Sequence, residues 1–181
     1  MAIESPVTLD DMKEHLRVVH TDDDRYIQTL LLAATKWAED FQNRIYVTRT
    51  MTDYLDNWET IIRPIYSPLV SVTTIKYYDT DGVQQTLSNT LYRVDTNTEP
   101  GRITEAYDTS WPDIRLITNT IEIEYLTGYG TASKVPDDVK AAIKLIVGHL
   151  YEHREVVSEV KLEMVPFSAK ELLWTDRLVK L

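Results

Sequence analysis

Two amphipathic helical stretches lie near opposite ends of this chain, and almost everything between them reads as strand and turn. Leu30, Leu31, Ala34, Trp37, Ala38 and Phe41 recur at the one-, three- and four-residue steps of a single helical face. Val139, Ile143, Ile146, Val147 and Leu150 do the same near the other end. A helix with one apolar stripe must bury it, and the nearest equal partner for each stripe is the other. The pattern predicts an α+β protein: a small helical bundle built from N- and C-terminal helices, with a β-rich region inserted between its halves. We expect a single domain over 1–181, with a helical core from 8–43 and 136–157, an insertion over 45–127 and a C-terminal segment over 158–181. This layout suits a building block better than an enzyme.

Local signals set the expected boundaries. Thr8 with Asp11 marks a helix start that runs to about Val18, and Thr21-Asp22-Asp23-Asp24 marks a second that reaches Asn43. The acidic run reads as capping that complements the helix dipole rather than as a metal site. Val70 to Tyr78 is rich in Val, Ile, Thr and Tyr, Asp79-Thr80-Asp81-Gly82 follows as a turn, and Val83 to Leu87 returns. Asp-x-Asp-Gly has a superficial likeness to a calcium loop, but Ser88 stands where the bidentate Glu is needed, so the hairpin reading holds. Further strands are expected at Thr48–Leu55, Tyr92–Asp95, Gly101–Thr104 and Thr120–Thr127. In the last, Ile121, Ile123 and Tyr125 alternate with Glu122 and Glu124, giving one buried and one wet face. Gly128-Tyr129-Gly130 is too short to cradle a phosphate. Pro136, Asp137 and Asp138 open the long second helix, and Ser168 caps a last short helix carrying Leu172, Leu173, Trp174 and Leu178.

Charge and composition exclude several function classes. The formal net charge is −10, a field that repels free nucleic acid. The chain has no cysteine, which removes disulfides, thiolate metal sites and a thiol nucleophile. No apolar run is long enough to span a membrane, and Met1-Ala-Ile-Glu-Ser-Pro lacks the features of a signal peptide, so a cytosolic site of synthesis is expected. One motif carries chemistry. His149-Leu-Tyr-Glu152-His153 matches the His-x-x-Glu-His pattern of inverted zinc peptidases, in which two histidines one helical turn apart share zinc and the Glu polarises its water. The third ligand is missing: Glu155 and Glu159 lie on the same helix or its end, and Glu163 and Glu171 lie in a weakly patterned tail. The motif reads as the polar flank of a core helix, and no catalytic residue, metal or cofactor is assigned.

Taken in order, several blocks resemble one family. They are Leu9-Asp-Asp-Met-Lys-Glu-His-Leu-Arg17, Ala33-Ala-Thr-Lys-Trp-Ala-Glu39, Val72-Thr-Thr-Ile-Lys-Tyr-Tyr-Asp79 with Asp81-Gly82, Tyr92-Arg-Val-Asp95 and Pro100-Gly-Arg-Ile103. Trp111-Pro112, Gly128-Tyr-Gly130 and the helix through His149-Leu-Tyr-Glu-His-Arg154 complete the set. Together they resemble the head–tail connector, or adaptor, proteins of long-tailed bacteriophages and prophages. The resemblance implies a non-enzymatic virion protein at the neck, in a homo-oligomeric ring, usually of twelve, beneath the portal. Its implied partners are the portal, its own copies and the next neck, stopper or tail protein. DNA would pass through the channel without sequence-specific binding. It also implies that the segment after Val157 meets the portal, and Leu172, Leu173, Trp174 and Leu178 form the apolar patch for that contact. From the residues alone, folding back of this helix onto the bundle stays equally open. Acidic loops are expected to line the bore. The other readings are a different neck or tail-completion protein, and a zinc hydrolase built on His149, Glu152 and His153.

Overall fold

The computed structural model describes residues 3–153 and 166–178. The chain divides into two compact units. The first is helical and takes residues up to Val47 and from Tyr129 onward; the second is the β region, Thr48–Gly128.

The helical unit contains α1 (Leu9–Leu16), α2 (Asp24–Gln42), α3 (Asp137–Glu152) and α4 (Phe167–Trp174). The two apolar stripes meet as expected: Ile27, Leu31, Ala34 and Ala38 of α2 are buried in one cluster with Val139, Ala142, Ile143, Ile146 and Val147 of α3, and Met12 of α1 joins them. Thr8 caps α1, its hydroxyl accepting the Asp11 N–H at 3.1 Å. The acidic run before α2 departs from expectation. Asp23 holds the N-cap position but makes no side-chain cap. Its carboxylate accepts the Tyr151 hydroxyl of α3 at 2.5 Å, and Asp24 pairs with Lys13 of α1 at 2.6 Å. Asp24 still lies in the first turn, where its charge complements the helix dipole, and both acids also tie helices together. The long helix is described to Glu152 with His153 as its cap, so its expected end at Val157 lies outside the described residues.

The β unit holds a four-stranded antiparallel sheet in the order β1-β6-β2-β3, from β1 (Arg49–Leu55), β2 (Leu69–Tyr78), β3 (Gln84–Thr86) and β6 (Ile121–Thr127). A separate two-stranded sheet pairs β4 (Tyr92–Asp95) with β5 (Arg102–Glu105). The alternation in β6 sets the faces: Ile121, Ile123 and Tyr125 are buried with Ile75 and Ile103, while Glu122 points the other way and pairs with Lys76 at 3.1 Å. The β2–β3 turn closes around Asp79, whose carboxylate accepts N–H groups of Asp81 and Val83 and the Gln85 side-chain amide. That carboxylate is committed to its own turn, the hairpin reading of Asp-x-Asp-Gly. Trp58 and Trp111 stack at 4.6 Å, and each indole N–H reaches a carbonyl, of Pro112 and Glu59 respectively.

Candidate functional site

The patch expected on the last helix is divided between the bundle core and the surface. The helix begins at Phe167 directly after Pro166, so Ser168 lies inside its first turn and is not the cap. Ala169 and Leu173, one turn apart, are fully buried in the bundle core, and Leu172 packs partly against it. The helix therefore folds onto its own bundle. Trp174 stands 61% exposed, Phe167 is exposed on the first turn, and Leu178 lies past the helix end, half-buried.

Three consecutive residues at and just past the end of α2 hold the end of α4 and the chain after it. Asn43 adopts a left-handed conformation (φ 56°) that ends α2 and frees nearby side chains to reach outward. The Gln42 side-chain amide donates to the Leu173 carbonyl at 2.8 Å, and its backbone carbonyl accepts the Leu178 N–H at 3.0 Å. The Asn43 side chain donates to the Leu178 carbonyl at 2.8 Å, and Arg44 Nε to the Asp176 carbonyl at 2.7 Å. Behind them Tyr46 donates its hydroxyl to Gln42 Oε1 at 2.8 Å, and the buried Glu39 carboxylate accepts the Tyr46 N–H at 2.9 Å. Burial, reinforced by the Glu39 charge, pushes the Tyr46 hydroxyl far above its usual range, so it stays a neutral donor. The Leu173 carbonyl, one of those a helix leaves unpaired in its last turn, is thus met by a side chain of α2, while the Asp176 and Leu178 carbonyls lie past the helix end.

On the outer side this produces an aromatic ledge. Trp37 and Phe41 stack at 5.1 Å and 14° along α2, and the Trp174 ring lies 6.1 Å from Phe41. The Arg177 guanidinium sits 4.8 Å from the centre of Phe41 and 5.1 Å from that of Trp174. An exposed Trp fixed between an aromatic and an arginine is the composition of a protein-binding hot spot. Sequence patterning placed Trp37 and Phe41 on the bundle stripe. It gave Asn43 only as a helix end and assigned nothing to Gln42, Arg44 or Arg177; the available signal was a run of three polar side chains directly behind an apolar stripe.

The zinc motif has a different geometry from the expected one. The His149 and His153 rings lie 4.5 Å apart, but α3 ends at Glu152 and His153 is already outside the helical conformation. His153 Nδ1 lies 2.9 Å from the His149 carbonyl, an acceptor, and Glu152 is exposed. Glu155, Glu159 and Glu163 lie outside the described residues, and Glu171 is exposed on α4. Among the described residues no three His, Asp or Glu side chains gather closely enough to hold a metal ion.

The chain belongs to the head completion protein family, whose model matches residues 7–163, and it is thereby a structural protein of the head–tail neck. This bears out the resemblance to connector proteins. Solved structures agree in fold. A chain in the neck of an empty gene transfer agent particle computed with C6 symmetry superposes at a TM-score of 0.80 with 22% identity, over 97% of this chain and 91% of that one. A chain of the native gene transfer agent virion gives 0.81 at 21%, over 100% and 94%. A chain in the native neck computed with C12 symmetry gives 0.76 at 23%, over 100% and 97%. No curated protein matches the chain.

Proposed function

We propose that this head completion protein works as a single, non-catalytic adaptor domain that forms a ring of twelve copies beneath the portal and joins it to the next neck or tail protein. Support for the ring comes from the C12 and C6 necks in which the similar chains were found. The portal contact runs through the C-terminal segment over 158–181 and the ledge that its Trp174 forms with Phe41. Trp174 inserts, Leu172 and Leu178 flank it, and Leu173 anchors the helix from within. The observation that carries this reading is the rigid hold on Trp174: one face of α4 is buried, the Leu173 carbonyl beside it is fixed by Gln42, and the largest apolar side chain still faces water. Ordering a large aromatic before it meets its partner lowers the entropic cost of binding. The net charge of −10 suits a channel through which DNA slides without being gripped.

Light-scattering mass of the chain mixed with the portal oligomer of the same particle tests this. A discrete complex with one adaptor per portal subunit is expected. Trp174→Ala should leave the chain folded and weaken the complex by ~10-fold or more. A wild-type chain that ignores the portal would remove the portal assignment.

A further inference from the structure

The His-x-x-Glu-His motif takes no part in the adaptor function, and its two histidines keep a chemistry of their own. Val139, Ile143, Ile146 and Val147 bury the inner stripe of α3. His149 and His153 stand off that stripe, the first half-buried and the second exposed. Their rings lie 4.5 Å apart with a tilt of 34° between the planes. An ion bound at ~2.1 Å by one nitrogen of each ring, with the two bonds near a right angle, puts the ring centres roughly 4–5 Å apart. The observed spacing falls in that range.

The protons are placed to suit a metal. The carbonyl of His149, 2.9 Å from His153 Nδ1, can only accept, so Nδ1 carries the proton. In the neutral ring the lone pair is then on Nε2. A histidine that ligates a metal almost always gives its other ring N–H to such an acceptor, which fixes its tautomer and orientation. Among the described residues no hydrogen bond or ion pair occupies His153 Nε2 or the His149 ring. Among the same residues no third His, Asp or Glu lies close enough to join the pair.

We propose that His149 and His153 form a two-histidine site for a divalent transition ion of tetragonal geometry, Cu(II) or Ni(II), with water in the remaining positions. The donor set makes that choice. Imidazole suits these ions, and tetragonal sites of nitrogen and oxygen donors select Cu(II) and Ni(II). Structural zinc takes four protein ligands and catalytic zinc three, which a pair does not supply. Magnesium and calcium need oxygen donors, and among the described residues no carboxylate joins the two rings. The bound ion ties His153, the cap residue beyond α3, back to the last turn of the helix.

Isothermal titration of the purified full-length chain with copper(II) chloride or nickel(II) chloride tests this, with magnesium chloride as the control. One ion per chain is expected, held more tightly for Cu(II) than for Ni(II), with no binding of magnesium. His149→Gln and His153→Gln should each weaken binding ~10-fold or more, while a chain carrying His15→Gln with His20→Gln keeps its affinity. Without metal, both single variants should melt within a few degrees of wild type, and the ion should raise the midpoint of wild type more than theirs. Electron paramagnetic resonance of the wild-type Cu(II) form should show two imidazole nitrogens bound to the ion. A wild-type spectrum with one imidazole nitrogen or none would overturn the proposal. So would affinity that survives both single variants, or that is lost in the His15 and His20 chain instead.

Discussion

At the scale of single residues, stability concentrates where a side chain replaces a missing backbone partner. Gln42 is the clearest case. Its amide holds the Leu173 carbonyl and its oxygen accepts the Tyr46 hydroxyl, both in the interior. Gln42→Leu leaves those two groups unpaired, at roughly 1–3 kcal/mol each. Urea unfolding should show the loss as a lowered midpoint. Leu173→Ala should cost about 2–5 kcal/mol by opening a cavity at a fully buried position, which a lowered thermal midpoint would report. Gly128 is a backbone case. Its φ of +132° is strained for any other residue, and a Cβ would fall 2.6 Å from Thr48 Cα. Gly128→Ala should therefore destabilise the β unit measurably in the same unfolding assay. An unchanged midpoint would mean that the Thr48 strand shifts at little cost.

At the scale of elements, much was legible because period and turn chemistry act locally. The stripes of α2 and α3, the alternation in β6 and the Asp79–Gly82 turn were all readable, since each face is fixed by the residues that lie on it. The polar side chains were not. Asp23 and Asp24 have the composition of caps, yet distant partners, Tyr151 and Lys13, claim their carboxylates. Sequence spacing cannot show a hydroxyl donor 128 residues away, as Tyr151 is from Asp23. The start of α4 was misplaced for a related reason: Pro166 with its fixed φ opens the helix, and the Ser168 hydroxyl was credited with that work. Two local elements also carry a pH dependence. The Gln85 amide, with the Val83 and Asp81 N–H groups, holds Asp79 below the ordinary value of 3.8, and Arg102 does the same for Asp95 across the β4–β5 pair. A carboxyl depressed in the folded state stabilises it above the unfolded value and loses that contribution as pH falls through the folded one. Both hairpins should hold steady at neutral pH and loosen below pH 3.8. Amide exchange at Val83 and Asn97, whose N–H groups these carboxylates accept, would follow it. Protection that persists unchanged well below that value would assign the turns' order to backbone bonding alone.

At the scale of the whole molecule, charge governs how copies meet. A chain of net charge −10 that closes into a ring places like charges side by side, so neighbour contacts must draw on apolar area against a repulsive field. Such repulsion depends on salt: the Debye length shrinks from ~30 Å at 0.01 M to ~8 Å at 0.15 M ionic strength. The isolated chain should therefore be mostly monomeric at low salt and associate more strongly as salt rises, because screening removes the opposing term and leaves apolar burial intact. The portal would act in the same sense, since docking each copy at a fixed site raises the effective concentration of its neighbours. Light-scattering mass across a salt series, with and without portal, separates these contributions. An oligomer that forms at low salt and dissolves as salt rises would overturn the argument, because it would show that attractive ion pairs hold the copies together.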